Sequence, residues 1–323
     1  MNNILSCLEG VRTVIIAGHT RPDGDCVGAC MGLWHYLRDN YPEIEADVRL
    51  EPVPESYKVI AGVEQIIGSY EDDKVYDLFI ALDASDKGRL AGAQKYFDTA
   101  KHRICIDHHI SNPGYADENM IVSDASSTCE VLIGLMAMEA ISYDAAVALY
   151  IGIICDTGVF KYSNTSRHTM DMAGCLMEKG IPYSDLIDDV FYRKSYKQNK
   201  ILGYALQKCR TVLDNRMIVC VLERPELDRL GAGHGDLEGI IDQLRLTDGV
   251  EVAIFLYETG PQQYKVSLRS QKIVDVSQVA VYFGGGGHVR AAGCTMSGSI
   301  HDVINNLSLH IAKQLDARAA GEV

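Results

Sequence analysis

Residues 11–25 read VRTVIIAGHTRPDGD and join a short apolar run to a turn rich in charged side chains. The run over residues 11–17 is β-branched and too short for a helix, which predicts a buried strand. A proline and a glycine predict a turn directly after it, and this turn carries His19, Asp23 and Asp25. The stretch therefore predicts an imidazole and two carboxylates at the end of a core strand.

Two more short apolar runs, at residues 77–82 and 103–106, have the same character, and each is flanked by polar or turn residues. Segments with helical periodicity occur between and after these runs. They cover residues 26–38, 127–140, 143–154 and 168–179. Strands that alternate with helices predict an α/β domain, a parallel sheet with helices on both faces.

The pattern changes after residue 200. Residues 211–213 and 217–222 predict one hairpin, 250–257 and 263–268 predict a second antiparallel pair, and a helix is expected over 236–246. This mixture predicts a smaller α+β C-terminal domain. We expect the boundaries to be 1–185 for the first domain, 186–205 for a helical linker and 206–323 for the second domain, with a cleft between the two domains.

Composition excludes several classes of protein. The 323 residues include 30 Lys and Arg against 44 Asp and Glu, which gives a formal charge of −14. Proteins that bind long duplex nucleic acid by neutralising its phosphates need a basic surface, so we expect no such partner. The 10 cysteines form no C-x-x-C pair and favour free thiols in a reducing cytoplasm. No apolar run is long enough to span a bilayer, so no membrane association is expected.

Acidic and histidine side chains follow the other predicted strands in the same way. Asp83 follows the run LFIAL, the triplet DHH at residues 107–109 follows RICI, and Asp156 follows the apolar helix LYIGIIC. Ligands of open parallel sheets bind outside the carboxyl ends of the strands. We therefore expect these side chains to meet those of the first turn at one edge of the sheet.

Crowded carboxylates repel one another and take up protons unless a positive charge compensates them. The acids Asp23, Asp25, Asp83 and Asp156 carry a charge that two divalent cations would balance. Oxygen and imidazole donors without thiolates suit Mn²⁺, Mg²⁺ or Co²⁺. Paired cations of this kind serve phosphoester hydrolysis, so the residues themselves predict a metal-dependent phosphoesterase.

A glycine run lies near the other end of the chain. Residues 284–293 read GGGGHVRAAG, which we interpret as a loop that opens a helix and lets backbone N–H groups approach an anion. The run lacks the lysine of a P-loop and the spacing of a dinucleotide-binding motif. Arg269, in the nearby stretch SLRS, could bind a phosphate with two hydrogen bonds. A flexible loop is the alternative interpretation.

These residues together resemble the DHH phosphoesterase superfamily, over nearly the whole chain and in the expected order. The motifs that carry the resemblance are His19-x-x-x-Asp23-x-Asp25, Asp83, Asp107-His108-His109, Asp156 and the GGGGH run. The chain is similar to the branch that degrades short oligoribonucleotides and removes the 3′-phosphate of 3′-phosphoadenosine 5′-phosphate (pAp). The resemblance implies a DHH domain, a DHH-associated substrate-binding domain, a water activated by two cations, with Mn²⁺ first among the candidates, and a homodimer.

The resemblance also implies roles for individual residues. One cation is assigned to His19, Asp23 and Asp83, and the second to Asp25, Asp83, His108 and Asp156, so that Asp83 bridges both. The resemblance places His109 at the substrate phosphate and makes Asp107 the acid that orients the neighbouring imidazoles. The positions that match substrate-binding residues are Arg269, Gly286, Gly287, His288, Ser126 and Ser127. For the two serines, helix capping is an equal alternative.

Three other functions stay open at this point. A manganese-dependent inorganic pyrophosphatase of the same superfamily would have more cations in the stretch that reads SLRS at residues 267–270. Hydrolysis of linear dinucleotides is a reaction closely related to the favoured function. A non-catalytic nucleotide sensor could keep the fold, although such a protein would be expected to lose metal ligands, and all those implied are present.

Overall fold

The computed structural model describes residues 8–319. The chain divides into two compact units, the first ending at Arg193 and the second beginning at Lys194. No helix within the described range has both the length and the apolar character needed to cross a membrane.

The first unit is an α/β fold around a parallel sheet. Its elements are β1 (Thr13–Ala17), α1 (Gly24–Asn40), β2 (Glu45–Arg49), β3 (Leu78–Leu82), α2 (Gln94–Thr99), β4 (His102–Asp107), β5 (Glu118–Ile121), α3 (Thr128–Ile133), α4 (Tyr143–Asp156), α5 (Arg167–Met177) and α6 (Tyr183–Ile187). The five strands lie in the order β2-β1-β3-β4-β5, and all neighbouring pairs are parallel. This confirms the predicted fold class.

Both faces of the central strands are buried. Along β1, Val14 and Ile16 pack into the core formed with α1, α3 and α4. Ile15 and Ala17 alternate with them and pack on the opposite face, where α2 contributes Tyr96. Successive residues of a strand point to opposite faces, so a strand covered on both sides reads as a continuous apolar run. That is why β1, β3 and β4 could be predicted.

Two features of the first unit differ from the predictions. The edge strands β2 and β5, which read EADVR and ENMI, have too few apolar residues to signal a strand. The helix predicted over residues 127–140 ends early: α3 stops at Ile133, and a short 3₁₀ turn follows at Met138–Ala140. Gly134 occupies the C-cap of α3.

The second unit contains a mixed sheet of six strands. Its elements are α7 (Tyr196–Lys208), β6 (Arg210–Val212), β7 (Met217–Leu222), α8 (Arg224–Leu230), α9 (Ile240–Arg245), β8 (Val252–Gly260), β9 (Gln263–Ser270), α10 (Val276–Tyr282), β10 (Gly286–His288), β11 (Ala291–Ser297) and α11 (Ile300–Ala319). The strand order is β10-β11-β9-β8-β7-β6, and only β7 and β8 run parallel. Both predicted antiparallel pairs, β6–β7 and β8–β9, are present.

The expectation that the glycine run opens a helix is wrong. Gly286–His288 forms the edge strand β10, antiparallel to β11, and the neighbouring helix α10 lies before the run instead of after it. The main-chain groups of these residues pair with β11, and a helix would break that pairing. The helix predicted over 236–246 is likewise divided, because Gly239 has φ +81° and separates a 3₁₀ turn from α9.

The segment between the two sheets is helical but interrupted. A π-helical turn, Asp188–Tyr192, follows α6, and α7 begins at Tyr196 after its N-cap Ser195. The side chains of Ile201 and Ala205 on α7 are buried in a core cluster of the second unit.

We expect the contact between α1 and α4 to tolerate no side chain at Gly28. A Cβ atom there would lie 2.5 Å from the carbonyl oxygen of Ala148, which is backbone and cannot move aside. Gly28→Ala should therefore lower the free energy of unfolding by about 1–3 kcal/mol. Urea titration monitored by Trp34, the one tryptophan in the chain, measures this in the first unit.

Gly174→Ala is the matched control, because no described atom lies within 4 Å of a Cβ at this position of α5. It should raise the free energy of unfolding by up to about 1 kcal/mol, the helix propensity difference between the two residues. Equal destabilisation by both variants would contradict the close-contact explanation.

Candidate active site

Three adjacent strands of the first unit end in acidic or histidine side chains. His19 lies two residues after β1, Asp83 directly follows β3, and Asp107 is the last residue of β4. These strands are neighbours in the sheet, so their carboxyl ends meet at one edge. Asp83 has φ +55°, a left-handed conformation that is costly for most residues and that Asp tolerates better than most.

Asp83 lies at the centre of the cluster. One of its carboxylate oxygens, Oδ2, is 3.5 Å from Nε2 of His19, and the other, Oδ1, is 3.7 Å from Nε2 of His108. The same Nε2 atom of His19 is 3.5 Å from the carboxylate of Asp23. Asp83 and His19 are buried, whereas 57% of the Asp23 side chain is exposed. Asp83 is therefore placed between two histidines that come from different strand ends.

A second group of donors surrounds His108. Its Nε2 atom is 3.1 Å from the Asp156 carboxylate, at the end of α4. Donor atoms of Asp25, His108 and Asp156 lie within 4.8 Å of one another, as do those of Asp83, His108 and His109. The structure thus brings together all the side chains that the sequence assigned to metal ligation.

The amino terminus of α3 holds two of these carboxylates. The backbone N–H of Thr128 donates to Oδ2 of Asp25 at 2.6 Å, and the N–H of Cys129 donates to Oδ1 at 3.0 Å. The Thr128 hydroxyl donates to Oδ1 of Asp83 at 3.1 Å. Thr128, Asp25 and Asp83 are all buried. Sequence reasoning missed Thr128, because a single sequence carries no mark of a backbone donor.

Asp107 contacts the imidazole of His109 and the backbone of His108. Its Oδ1 atom accepts a hydrogen bond from Nδ1 of His109 at 2.8 Å and another from the backbone N–H of His108 at 2.8 Å. The side-chain amide of Asn112, a second residue that the sequence analysis missed, donates to Oδ2 at 2.6 Å. Because Nδ1 of His109 is engaged, Nε2 is the ring atom that can face another molecule. The hydrogen bond with Asp107 raises the pKa of His109.

Ser126 and Ser127 both have protein partners. Ser127 caps α3 by accepting a hydrogen bond from the N–H of Glu130, the capping role that the sequence left as an alternative. The Ser126 hydroxyl donates to the buried carboxylate of Glu130, which also accepts from the hydroxyl of Thr169. This buried network fixes the start of α3 against α5 and so supports the position of Thr128.

The pKa shifts of residues in the cluster indicate that its carboxylates lack compensating positive charge. Burial by itself lowers the pKa of His19, but hydrogen bonds with Asp23 and Asp83 outweigh it and raise the pKa to about 11. Burial raises the pKa of Asp25 well above its usual value, and the charges of Asp83 and Asp156 raise it further. Both shifts have the same cause, buried carboxylates that lack a compensating positive charge, and oxygen and imidazole donors so arranged fit divalent cations.

A thiol also belongs to the cluster. The Sγ atom of Cys26 lies within 4.8 Å of donor atoms of His19 and Asp83. Gly18 makes room for it, since a Cβ at that position would lie 2.2 Å from the sulfur. The residue types predict a metal site without thiolates. The structure retains the oxygen and imidazole donors and adds this buried sulfur beside them.

The predicted substrate-binding residues of the second unit lie on one sheet. Arg269 of β9 and His288 of β10 are both register partners of Ala291 on β11. The guanidinium of Arg269 is bound through Nε to Asp242 at 3.2 Å. Gly287 has φ +144°, and a Cβ there would lie 2.5 Å from the carbonyl oxygen of Ala291, so this position requires glycine.

Family models match both units. Residues 13–153 match the N-terminal domain of the DHH family, and residues 214–315 match the DHHA1 domain. The first match includes the strand ends that carry His19, Asp83 and Asp107, and the second includes Arg269 and the glycine run. The two matched segments lie one in each compact unit.

Two relatives are similar to the chain over most of their length. The chain is 26% identical over 298 residues to the bifunctional oligoribonuclease and PAP phosphatase NrnA of Thermus thermophilus, covering 91% of this chain and 87% of that protein. It is 27% identical to the protein of the same name from Bacillus subtilis, covering 88% and 89%. Both alignments extend across the two units.

A solved structure shares the fold. The crystal structure of an exopolyphosphatase-related protein from Bacteroides fragilis superposes with a TM-score of 0.85 at 24% identity, covering 96% of this chain and 94% of that chain. With a DHH family N-terminal domain followed by a DHHA1 domain, and with the strand-end acids and histidines gathered at one edge of its parallel sheet, the chain belongs to the DHH phosphoesterase superfamily.

Proposed function

We propose that this protein is a metal-dependent phosphoesterase that hydrolyses short oligoribonucleotides and linear dinucleotides to mononucleotides and removes the 3′-phosphate of pAp. The observation that carries the proposal is the cluster around Asp83, in which three strand ends and α4 bring carboxylates and imidazoles within a few ångströms. Relatives named for both activities support this choice of substrates.

The proposed metal ligands divide into two sets that share Asp83. His19 and Asp23 complete the first set, and Asp25, His108 and Asp156 complete the second. Two divalent cations, with Mn²⁺ as our first choice over Mg²⁺ and Co²⁺, would compensate the charge of these carboxylates. When bound, such cations lower the pKa of a water and neutralise charge on phosphoryl oxygens.

The remaining residues of the site orient other side chains or donate a proton. Asp107 holds His109 through Nδ1, so we assign to Nε2 of His109 the proton that the leaving oxygen takes up. Thr128 holds the carboxylates of Asp25 and Asp83 at their observed separation. To Ser126 we assign a structural role. Its hydrogen bond to Glu130 holds the start of α3, and with it Thr128, in place.

We assign substrate binding to the second unit, with Arg269 and the strand Gly286–His288 contacting the phosphate and the rest of the substrate. In this assignment a domain over 1–185 carries the chemistry, a helical linker covers 186–205, and the substrate-binding domain covers 206–323. A homodimer and a cytoplasmic location are part of the same proposal, as is the absence of binding to long duplex nucleic acid or membranes.

A substrate panel tests this function. We expect the purified protein with Mn²⁺ to hydrolyse a five-residue oligoribonucleotide, a linear dinucleotide and pAp, and to release phosphate from pAp much faster than from pyrophosphate. Chelation with EDTA should abolish all of these activities. Faster turnover of pyrophosphate would establish the pyrophosphatase instead, and binding of pAp without any turnover would establish the sensor.

Removing the shared carboxylate should have the largest effect of any single change. We expect Asp83→Asn to lower kcat for pAp by at least about a hundredfold, because cation-dependent stabilisation of the transition state supplies several kcal/mol. Titration calorimetry with Mn²⁺ should show weakened binding. Asp171→Asn on α5, an exposed acid away from the cluster, is the control. Wild-type Mn²⁺ affinity in Asp83→Asn would contradict the bridging role.

Thr128 permits a sharper test of positioning. Thr128→Val keeps the shape and the backbone N–H but removes the hydroxyl that donates to Asp83. We expect Mn²⁺ affinity to fall by about 10–100-fold, the usual effect of losing a group that orients a metal ligand. Thr128→Ser retains the hydroxyl and should restore most of the affinity. If Thr128→Ser binds Mn²⁺ as weakly as Thr128→Val, the hydroxyl is not the cause.

A further inference from the structure

One face of the sheet in the second unit is only partly covered by helices. On the opposite face, Tyr264, Val266 and Leu268 of β9 pack into a core with α10 and α11. The helices α7, α8 and α9 form a separate core with β7 and β8, to which β9, β10 and β11 contribute no residue within the described range. The alternate side chains of β9 point to that face, where Lys265 is exposed and Ser267 and Arg269 are half-buried, Arg269 beside Asp242 of α9.

Strand register defines what lies on that face. Arg269 is opposite Ala291, Ser267 is opposite Gly293, and Lys265 is opposite Thr295. Residues in register on neighbouring strands point to the same side of a sheet, so these six positions form a continuous surface. We call it the open strip (Arg269, Ser267, Lys265, Ala291, Gly293 and Thr295). It runs about 14 Å along β9, four residues at the usual rise of a strand.

The chemistry of the open strip suits a phosphodiester backbone. Its two ends carry cations, and the residues between them are a hydroxyl side chain and positions with little or no side chain. Within residues 8–319, no carboxylate lies within 4.0 Å of the exposed Lys265 ammonium, whereas Arg269 shares its charge with Asp242. In a chain with a formal charge of −14, an uncompensated lysine beside hydroxyl groups is a local site for an anion.

We propose that the open strip binds a single-stranded oligoribonucleotide beyond the nucleotide that is cleaved, with Lys265 contacting a phosphate of the following nucleotides. The small residues Ser267 and Gly293 let the sugar-phosphate chain lie close to the sheet, and Thr295 can donate to it. The inference rests on the proposed function, which assigns Arg269 to the substrate. It extends that function by making Lys265 a determinant of substrate length.

A comparison of substrates of different length tests the open strip. The probe for binding, measured by anisotropy, is a fluorescein-labelled five-residue oligoribonucleotide. The probes for hydrolysis are the same oligonucleotide without the label and pAp.

We expect Lys265→Gln to weaken oligonucleotide binding about threefold at low salt, the effect of one exposed ionic contact. The slope of log affinity against log salt should become less steep by about 0.7. The ratio of KM for the oligonucleotide to KM for pAp should rise, since pAp has no phosphodiester to reach Lys265.

Two further variants complete the experiment. Thr295→Glu places a negative charge opposite Lys265 and should weaken oligonucleotide binding more than Lys265→Gln does. Lys313→Gln, an exposed lysine on α11 across the sheet, should keep wild-type affinity and salt dependence. Wild-type affinity and salt slope in both Lys265→Gln and Thr295→Glu would overturn the inference, even if the protein hydrolyses RNA. If the wild-type chain binds the oligonucleotide through Lys265 but hydrolyses neither substrate, the inference stands and the proposed function fails.

Discussion

Repulsion among buried carboxylates is the constraint on which the first unit depends. Asp25 and Asp83 are almost wholly buried, and Asp156 lies beside them, an arrangement that in isolation favours unfolding or protonation. The fold opposes this repulsion in two ways that the structure shows directly. Backbone N–H groups at the start of α3 donate to Asp25, and the imidazoles of His19 and His108 place ring nitrogens beside the carboxylates of Asp83 and Asp156. Divalent cations would complete this compensation.

The parallel sheet makes such crowding possible with few residues. Each strand end delivers one or two side chains to the same edge, and the neighbours β1, β3 and β4 hold those ends at the spacing of hydrogen-bonded strands. The geometry of the cluster is thereby supported by a fully buried part of the unit, where Val14 and Ile16 pack. Stability of the core and placement of the acids are consequences of the same arrangement.

The sequence predicts correctly those strands whose burial requires a recognisable run of apolar residues. The strands β1, β3 and β4 are covered on both faces and read as apolar runs, and the acids at their ends could be placed from parallel topology alone. The edge strands β2 and β5 lack that signal. Thr128 could not be found, because its main contribution to Asp25 comes from a backbone N–H that any residue would possess. Gly286–His288 was misjudged because pairing with β11 decides its conformation.

Charge bears on the proposed action of this acidic protein on short RNA strands. With a formal charge of −14, the molecule as a whole repels a polyanion, and this repulsion grows with the length of the strand. Local cations on the open face of β9 oppose it over only about 14 Å, the distance from Arg269 to Lys265 along the strand. A short oligoribonucleotide can satisfy both cations and end there, whereas each further phosphate adds repulsion without a new contact. On this argument, the proposed length selection would follow from the limited extent of the open strip.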